Sequence, residues 1–301
     1  MNNTLIGSLY LTIASSIWGG MYVVVKHTVS VIPPLELVWM RYAIALITLI
    51  IIGLASKQNW RVNRHHLLLI VAISIIGYVI SIITQETGTM LSTAQMGAII
   101  TSTTPAFMVL FASMILKERL TLKKSLSVIL ATIGVLTIVG IDDINLSSTL
   151  GGLSLLIAAL TWAFMSVLIK RLPTDYSQIV ITAYAVFIAV VVLTPFVIQR
   201  YPQVPLNELA QPDILGGLLY LGVISTSLAF LLWNQGLQML NASSGGTFFF
   251  FQPVVGAFLG WAILGESLSI TFWIGSILIL VGVLIAVKEP QHKVSSPIME
   301  Q

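Results

Sequence analysis

The chain has 301 residues, of which 57% are hydrophobic and 8% charged, with a mean hydropathy of +0.99. A soluble domain carries about a quarter charged residues, so the composition excludes an ordinary soluble protein and implies an integral membrane protein. The absence of cysteine excludes disulfides, thiolate metal sites and a cysteine nucleophile, and the net charge of +3 comes without the basic, aromatic-interleaved run that would point to nucleic acid.

Apolar stretches bounded by charges, Pro, Gly or Asn predict ten spans, near residues 5–25, 35–54, 67–86, 93–116, 122–140, 151–171, 178–198, 213–237, 242–264 and 270–287. Membrane-barrel strands would be about 10 residues long and strictly alternating, whereas these runs are about twice that length, so the expected fold is all-α. Met1 to Leu5 carry no Lys or Arg, and the first run is therefore expected to remain as a helix rather than to act as a cleaved signal peptide.

Taken in order, the first span carries Trp18 near its middle and Tyr22 one turn outward, the second carries Arg41, and the third carries Tyr78 near its middle and Glu86 near its end. Belt aromatics belong at the interfaces, so mid-span Trp and Tyr serve either core packing or a cavity wall. An ionisable residue inside a span suggests an interior partner or pathway. Arg41 and Glu86 could pair, and could carry a coupling proton or meet a charged solute, unless Glu86 sits at the interface.

The fourth span holds Thr104-Pro105 and ends at Glu118. The sixth holds Trp162, and the ninth holds FFFFQP, residues 248–253, ending near Glu266. Proline removes a helical donor, which frees the carbonyl four residues back: that of Thr101 for Pro105 and that of Phe249 for Pro253. With Thr104 and Gln252 just ahead, each break reads either as a polar kink facing the interior or as a packing kink. Glu118 and Glu266, followed by Thr121 and Ser269, read as structural, a carboxylate favouring the positive end of the next helix and a hydroxyl capping it. Gly256 and Gly260 form a GxxxG permitting close helix contact.

Lys and Arg distribute unequally over the connections. With the N-terminus inside, eleven lie on the inner side, two (Lys26, Arg200) on the outer side, and Arg41 lies within a span. The positive-inside rule then puts both termini in the cytoplasm, with 288–301 as a solvated tail.

The halves, 1–140 and 151–287, read alike. At an offset of 144, Gly7, Ala14, Trp18, Met21 and Lys26 fall on Gly151, Ala158, Trp162, Met165 and Lys170. At an offset of 148, Gly88, Pro105, Glu118 and Gly134 fall on Gly236, Pro253, Glu266 and Gly282. Five spans per half is an odd number, so the second copy enters the bilayer from the opposite side. Inverted repeats suit alternating access to a midplane site. Every Asp and His lies in a loop or at a span end, which leaves no intramembrane catalytic constellation, and no GxxxxGK[ST] phosphate loop occurs. Enzyme activity and direct ATP drive are not expected.

TAQMGAIITSTTPAFMVLFASMILKERL (93–120), its mate NASSGGTFFFFQPVVGAFLGWAILGESL (241–268), and the WGG and TWA segments of the two first helices resemble the EamA family of the drug/metabolite transporter superfamily over residues 7–287. The resemblance implies ten helices in two inverted five-helix repeats of an inner (plasma) membrane, and a secondary transporter moving small metabolites, most often outward. It implies no cofactor, and it places Trp18, Tyr78, Thr104, Trp162 and Gln252 near a central cavity, to which their depth adds Tyr22. In one departure the first half reads MILKER where the second reads AILGES, and Gln85 and Glu86 bring polarity where many relatives are apolar, so proton coupling stays open. Amino-acid export is the first expectation. Uptake, nucleotide-sugar-type exchange, and a sensor or scaffold are the alternatives, with substrate, coupling ion and oligomeric state left open.

Overall fold

The computed structural model describes residues 3–92, 94–139, 146–200, 206–264 and 270–287; Glu266, Ser269 and the tail 288–301 lie outside them. Among the described residues the regular structure is helical, with no strand. The helices are α1 (Asn3–Thr28), α2 (Pro34–Ala55), α3 (Arg64–Leu91), α4 (Ala94–Thr101), α5 (Thr104–Leu116), α6 (Leu122–Val139), α7 (Leu146–Ile169), α8 (Gln178–Arg200), α9 (Leu206–Leu209), α10 (Pro212–Met239), α11 (Ala242–Gly246), α12 (Phe251–Leu264) and α13 (Ile270–Val287). Six of them, α1, α2, α3, α7, α8 and α10, are long and apolar enough to cross a membrane.

The burial pattern is inverted relative to a soluble protein. Large apolar side chains such as Leu68, Ile198 and Ile277 face outward, while Ser74, Thr182, Thr226 and Asn234 are buried. Outward leucine and isoleucine cost nothing in hydrocarbon, and polar groups there must find partners inside. The protein is thus a multi-pass helical membrane protein.

The expected fourth and ninth spans are not continuous. The fourth breaks between α4 and α5, where Ser102 and Thr103 turn the chain and Pro105 opens the new helix. The ninth passes from α11 through a tighter 3-10 turn, Thr247–Phe250, into α12. Two long helices contain wider π-helical turns instead, Ser74–Ile80 in α3 and Tyr220–Leu228 in α10. Hydroxyls satisfy the carbonyls so exposed: Ser102 and Thr103 donate to Ala98 and Ile100 (2.6 Å each), and Thr226 and Ser227 donate five residues back, to Leu221 and Gly222. The Phe249 carbonyl, expected to lack a donor, accepts the N–H of Phe251.

Helix pairs form at small residues. α1 lies along α10, α3 along α7, α2 along α8 and α6 along α13. A Cβ on Gly236 would stand 3.0 Å from the Gly7 carbonyl, one on Gly88 2.8 Å from that of Gly151, and one on Gly134 2.6 Å from that of Gly275. Gly256, by contrast, makes an ordinary 3.4 Å approach to the Gly19 carbonyl.

Charged side chains close the helix ends. The Lys26 ammonium donates to the carbonyls of Thr89, Met90 and Ser92 at the end of α3, and Lys170 to those of Leu237 and Leu240 at the end of α10 (2.7 and 2.6 Å), where a cation also complements the helix dipole. Lys117, where the second half has Gly265, ends α5 in the left-handed conformation (φ 55°), a position that favours glycine.

Thr121 caps α6 as expected, accepting the Lys124 N–H (3.2 Å). Glu118 pairs with Lys124 in the first turn of the helix that follows it (3.3 Å), and it also reaches a second helix far along the chain. It accepts the N–H groups of Ala242 (2.9 Å) and Ser243 (3.3 Å) and the Ser243 hydroxyl, which ties the end of α5 to the start of α11.

Placing valine at Gly134 drives side-chain carbons into a neighbouring backbone. Gly134→Val is expected to lower stability by about 1–3 kcal/mol, read as a reduced melting temperature in detergent. Gly216→Ala, with nothing within 4 Å of the new Cβ, should melt no lower than the parent.

Candidate functional site

A crevice with about 360 Å³ of space not filled by atoms opens where α1, α3, α7, α10 and the two broken spans meet. Of the residues singled out in the sequence, Trp18, Tyr22, Arg41, Thr104, Trp162 and Gln252 line it. Tyr78 does not line it. It stands one layer back, its ring 4.9 Å from Phe230 and 6.4 Å from Trp162, and its hydroxyl accepts from Asn234 (3.1 Å). Depth along a helix does not set which way a side chain faces, and the π-helical turn containing Tyr78 shifts that phase.

Aromatic rings make one wall. Trp18 meets Trp162 edge to face at a centroid distance of 5.3 Å (87°) and stacks on Phe249 at 5.6 Å (28°), while Phe230 sits 5.1 Å from Trp162. Such offset and edge contacts each contribute about 0.5–1.5 kcal/mol beyond area burial. The question raised by FFFFQP has a physical answer here: the tightened turn puts Phe249 against Trp18 and delivers Gln252 to the crevice.

The polar wall is incompletely paired. Trp18 donates to the Ser225 carbonyl (3.0 Å), the Tyr22 hydroxyl meets that of Thr101 (2.7 Å), and Thr101 reaches the Gln252 amide oxygen at 3.5 Å. Three lining groups, Trp162 Nε1, Gln85 Nε2 and Thr104 Oγ1, are buried without a hydrogen-bond partner.

Arg41 and Glu86 are both fully buried, and they form an ion pair at 2.6 Å. Arg41 Nε donates to Thr226 (2.9 Å) and its NH2 group to Ser225 (3.2 Å). Ser225 and Thr226, in the wide turn of α10, therefore complete the guanidinium shell, while the neighbouring Ser227 hydroxyl turns to the Ala45 and Gly222 carbonyls. Three hydroxyls in succession within an apolar run were the available signal for that role. A further buried carboxylate went unnoticed in the sequence: Glu36, at the first turn of α2, lies 3.3 Å from Arg200.

Removing one partner of a buried pair strands the other charge, at a cost of about 3–5 kcal/mol. Arg41→Met is expected to lose about that much stability or to fail to accumulate as folded protein, while Arg41→Met combined with Glu86→Leu recovers most of the loss. Melting curves of the purified variants check both.

The EamA-like transporter family matches residues 5–140 and 149–288. An uncharacterized transporter of Archaeoglobus fulgidus is 24% identical over 282 residues, 93% of this chain and 98% of its own, and the uncharacterized transporter YoaV of Bacillus subtilis is 26% identical over 288 residues, 94% and 96%. One crystal structure of a protein superposes with a TM-score of 0.74 at 18% identity, covering 95% of this chain and 98% of that one, which bears on fold alone. Both sequence halves carry the family match, and the chain belongs to the EamA-like transporter family.

Proposed function

We propose that the protein is a secondary transporter exporting amino acids or similar small metabolites across the cell membrane by alternating access, with the crevice as its solute site. The observation that carries this reading is which positions meet there. Trp18 and Trp162 are related by the offset of 144, and Thr104 with Gln252, Thr101 with Phe249 and Ile82 with Phe230 by the offset of 148, and all eight line one crevice. In a ten-span protein made of two inverted repeats, such a crevice lies where the halves cross, and rocking one half opens it to each side in turn.

The packing supports the repeat. Under the two offsets, the Gly7–Gly236 approach exchanges with Gly151–Gly88, and the Lys26 contacts at the end of α3 exchange with those of Lys170 at the end of α10. The placement of both termini in the cytoplasm rests on the Lys and Arg distribution. Uptake in place of export uses the same site.

Counterflow in proteoliposomes tests the function: vesicles loaded with one unlabelled amino acid, sugar or nucleotide should accumulate its labelled counterpart for one solute class. Gln252→Ala is expected to change that rate by tenfold or more at unchanged yield of folded protein; a parental rate would remove Gln252 from the site.

We assign proton coupling to the Arg41–Glu86 pair, the buried ion pair that borders the crevice through Arg41. Glu86→Gln should then flatten the pH profile of counterflow-competent protein, and an unchanged profile would take the pair out of the coupling.

A further inference from the structure

The crevice holds unpaired hydrogen-bond donors beside a cation. Trp162 Nε1 and Gln85 Nε2 are N–H groups that can only donate, and the Thr104 hydroxyl can donate as well. The amide oxygen that lines the same space, Gln252 Oε1, is already in contact with Thr101. Arg41 adds a positive group to the wall, held there by Glu86, Ser225 and Thr226. The remaining walls are the rings of Trp18, Trp162, Phe230 and Phe249.

We infer that the crevice binds the carboxylate of an organic acid, with Gln85, Thr104 and Trp162 donating to its oxygens and the aromatic wall covering an apolar body. The inference rests on the solute-site reading above and narrows it to acids. A carboxylate has two oxygens and about four lone-pair sites, enough for three donors that no protein group satisfies. A site built to hydrogen-bond its solute rejects an analogue lacking the group because its own buried donors are then left unpaired.

The test uses detergent-purified full-length protein, 3-phenylpropionate, and its isosteres 3-phenylpropanamide and 3-phenylpropylamine, with binding followed by intrinsic tryptophan fluorescence and by calorimetry. The acid is expected to bind at least tenfold more tightly than the amine, with the amide between them. Gln85→Leu and the isosteric Thr104→Val should each weaken the acid by about tenfold, a step of about 1.4 kcal/mol, and bring acid and amine closer together. Equal or tighter binding of the amine, no binding of any of the three, or acid affinity untouched in both folded variants would each overturn the inference. Because binding is read without transport, an acid that binds but does not exchange would contradict the transporter reading alone. A solute that exchanges but carries no acid group would contradict this inference alone.

Discussion

Hydrocarbon offers a backbone no hydrogen bonds, and the irregular features of this fold answer to that constraint. A regular helix meets it by itself. The chain departs from regular helix at four places in its described interior: the turn at Ser102 and Thr103, the 3-10 turn at Thr247–Phe250, and the wide turns in α3 and α10. Three of them are covered by short hydroxyl side chains or by backbone donors, and the turn in α3 receives the Tyr42 hydroxyl at the Tyr78 carbonyl. Irregular backbone at membrane depth is tolerated where protein or a cavity covers it, so the departures and the crevice occur together.

The same constraint explains the grouping of chemistry. Wide turns place Ser225 and Thr226 where they meet Arg41, and the Ser225 carbonyl receives the Trp18 indole. The ion pair, the aromatic wall and the broken spans are thus linked through a few hydrogen bonds. Glycine contacts such as Gly134 on Gly275 and Gly88 on Gly151 bring the helices near enough for those bonds to form. Glu118 and Lys170, at the ends of α5 and α7, join the start of α11 and the end of α10 to the rest.

Much of this was legible in the sequence. Composition gave the membrane class, and the six long helices fall where apolar runs indicated, because both are set by hydrophobic length. Trp18, Trp162, Thr104 and Gln252 stood out as aromatic or polar groups deep in apolar runs, and the structure brings them to one crevice. Tyr78 stood out for the same reason yet lies a layer behind, because depth is readable from position whereas facing depends on helical phase, and a π-helical turn resets that phase. Glu118 was recognised as a helix-end carboxylate, but the helix it caps lies more than a hundred residues away, a tertiary fact that local spacing does not contain. Glu36 passed unnoticed because a carboxylate in the first turn of a helix normally needs no explanation beyond the dipole.

Access to the crevice from both sides of the membrane is the central claim. The chain contains no cysteine, so Thr104→Cys would be the one thiol in the protein, and its reaction with a membrane-impermeant thiol reagent can be followed in sealed vesicles from each face separately. The account predicts labelling from both faces, slowed from either side by a transported solute. Labelling from one face only, or from neither in folded protein, would contradict alternating access at this site.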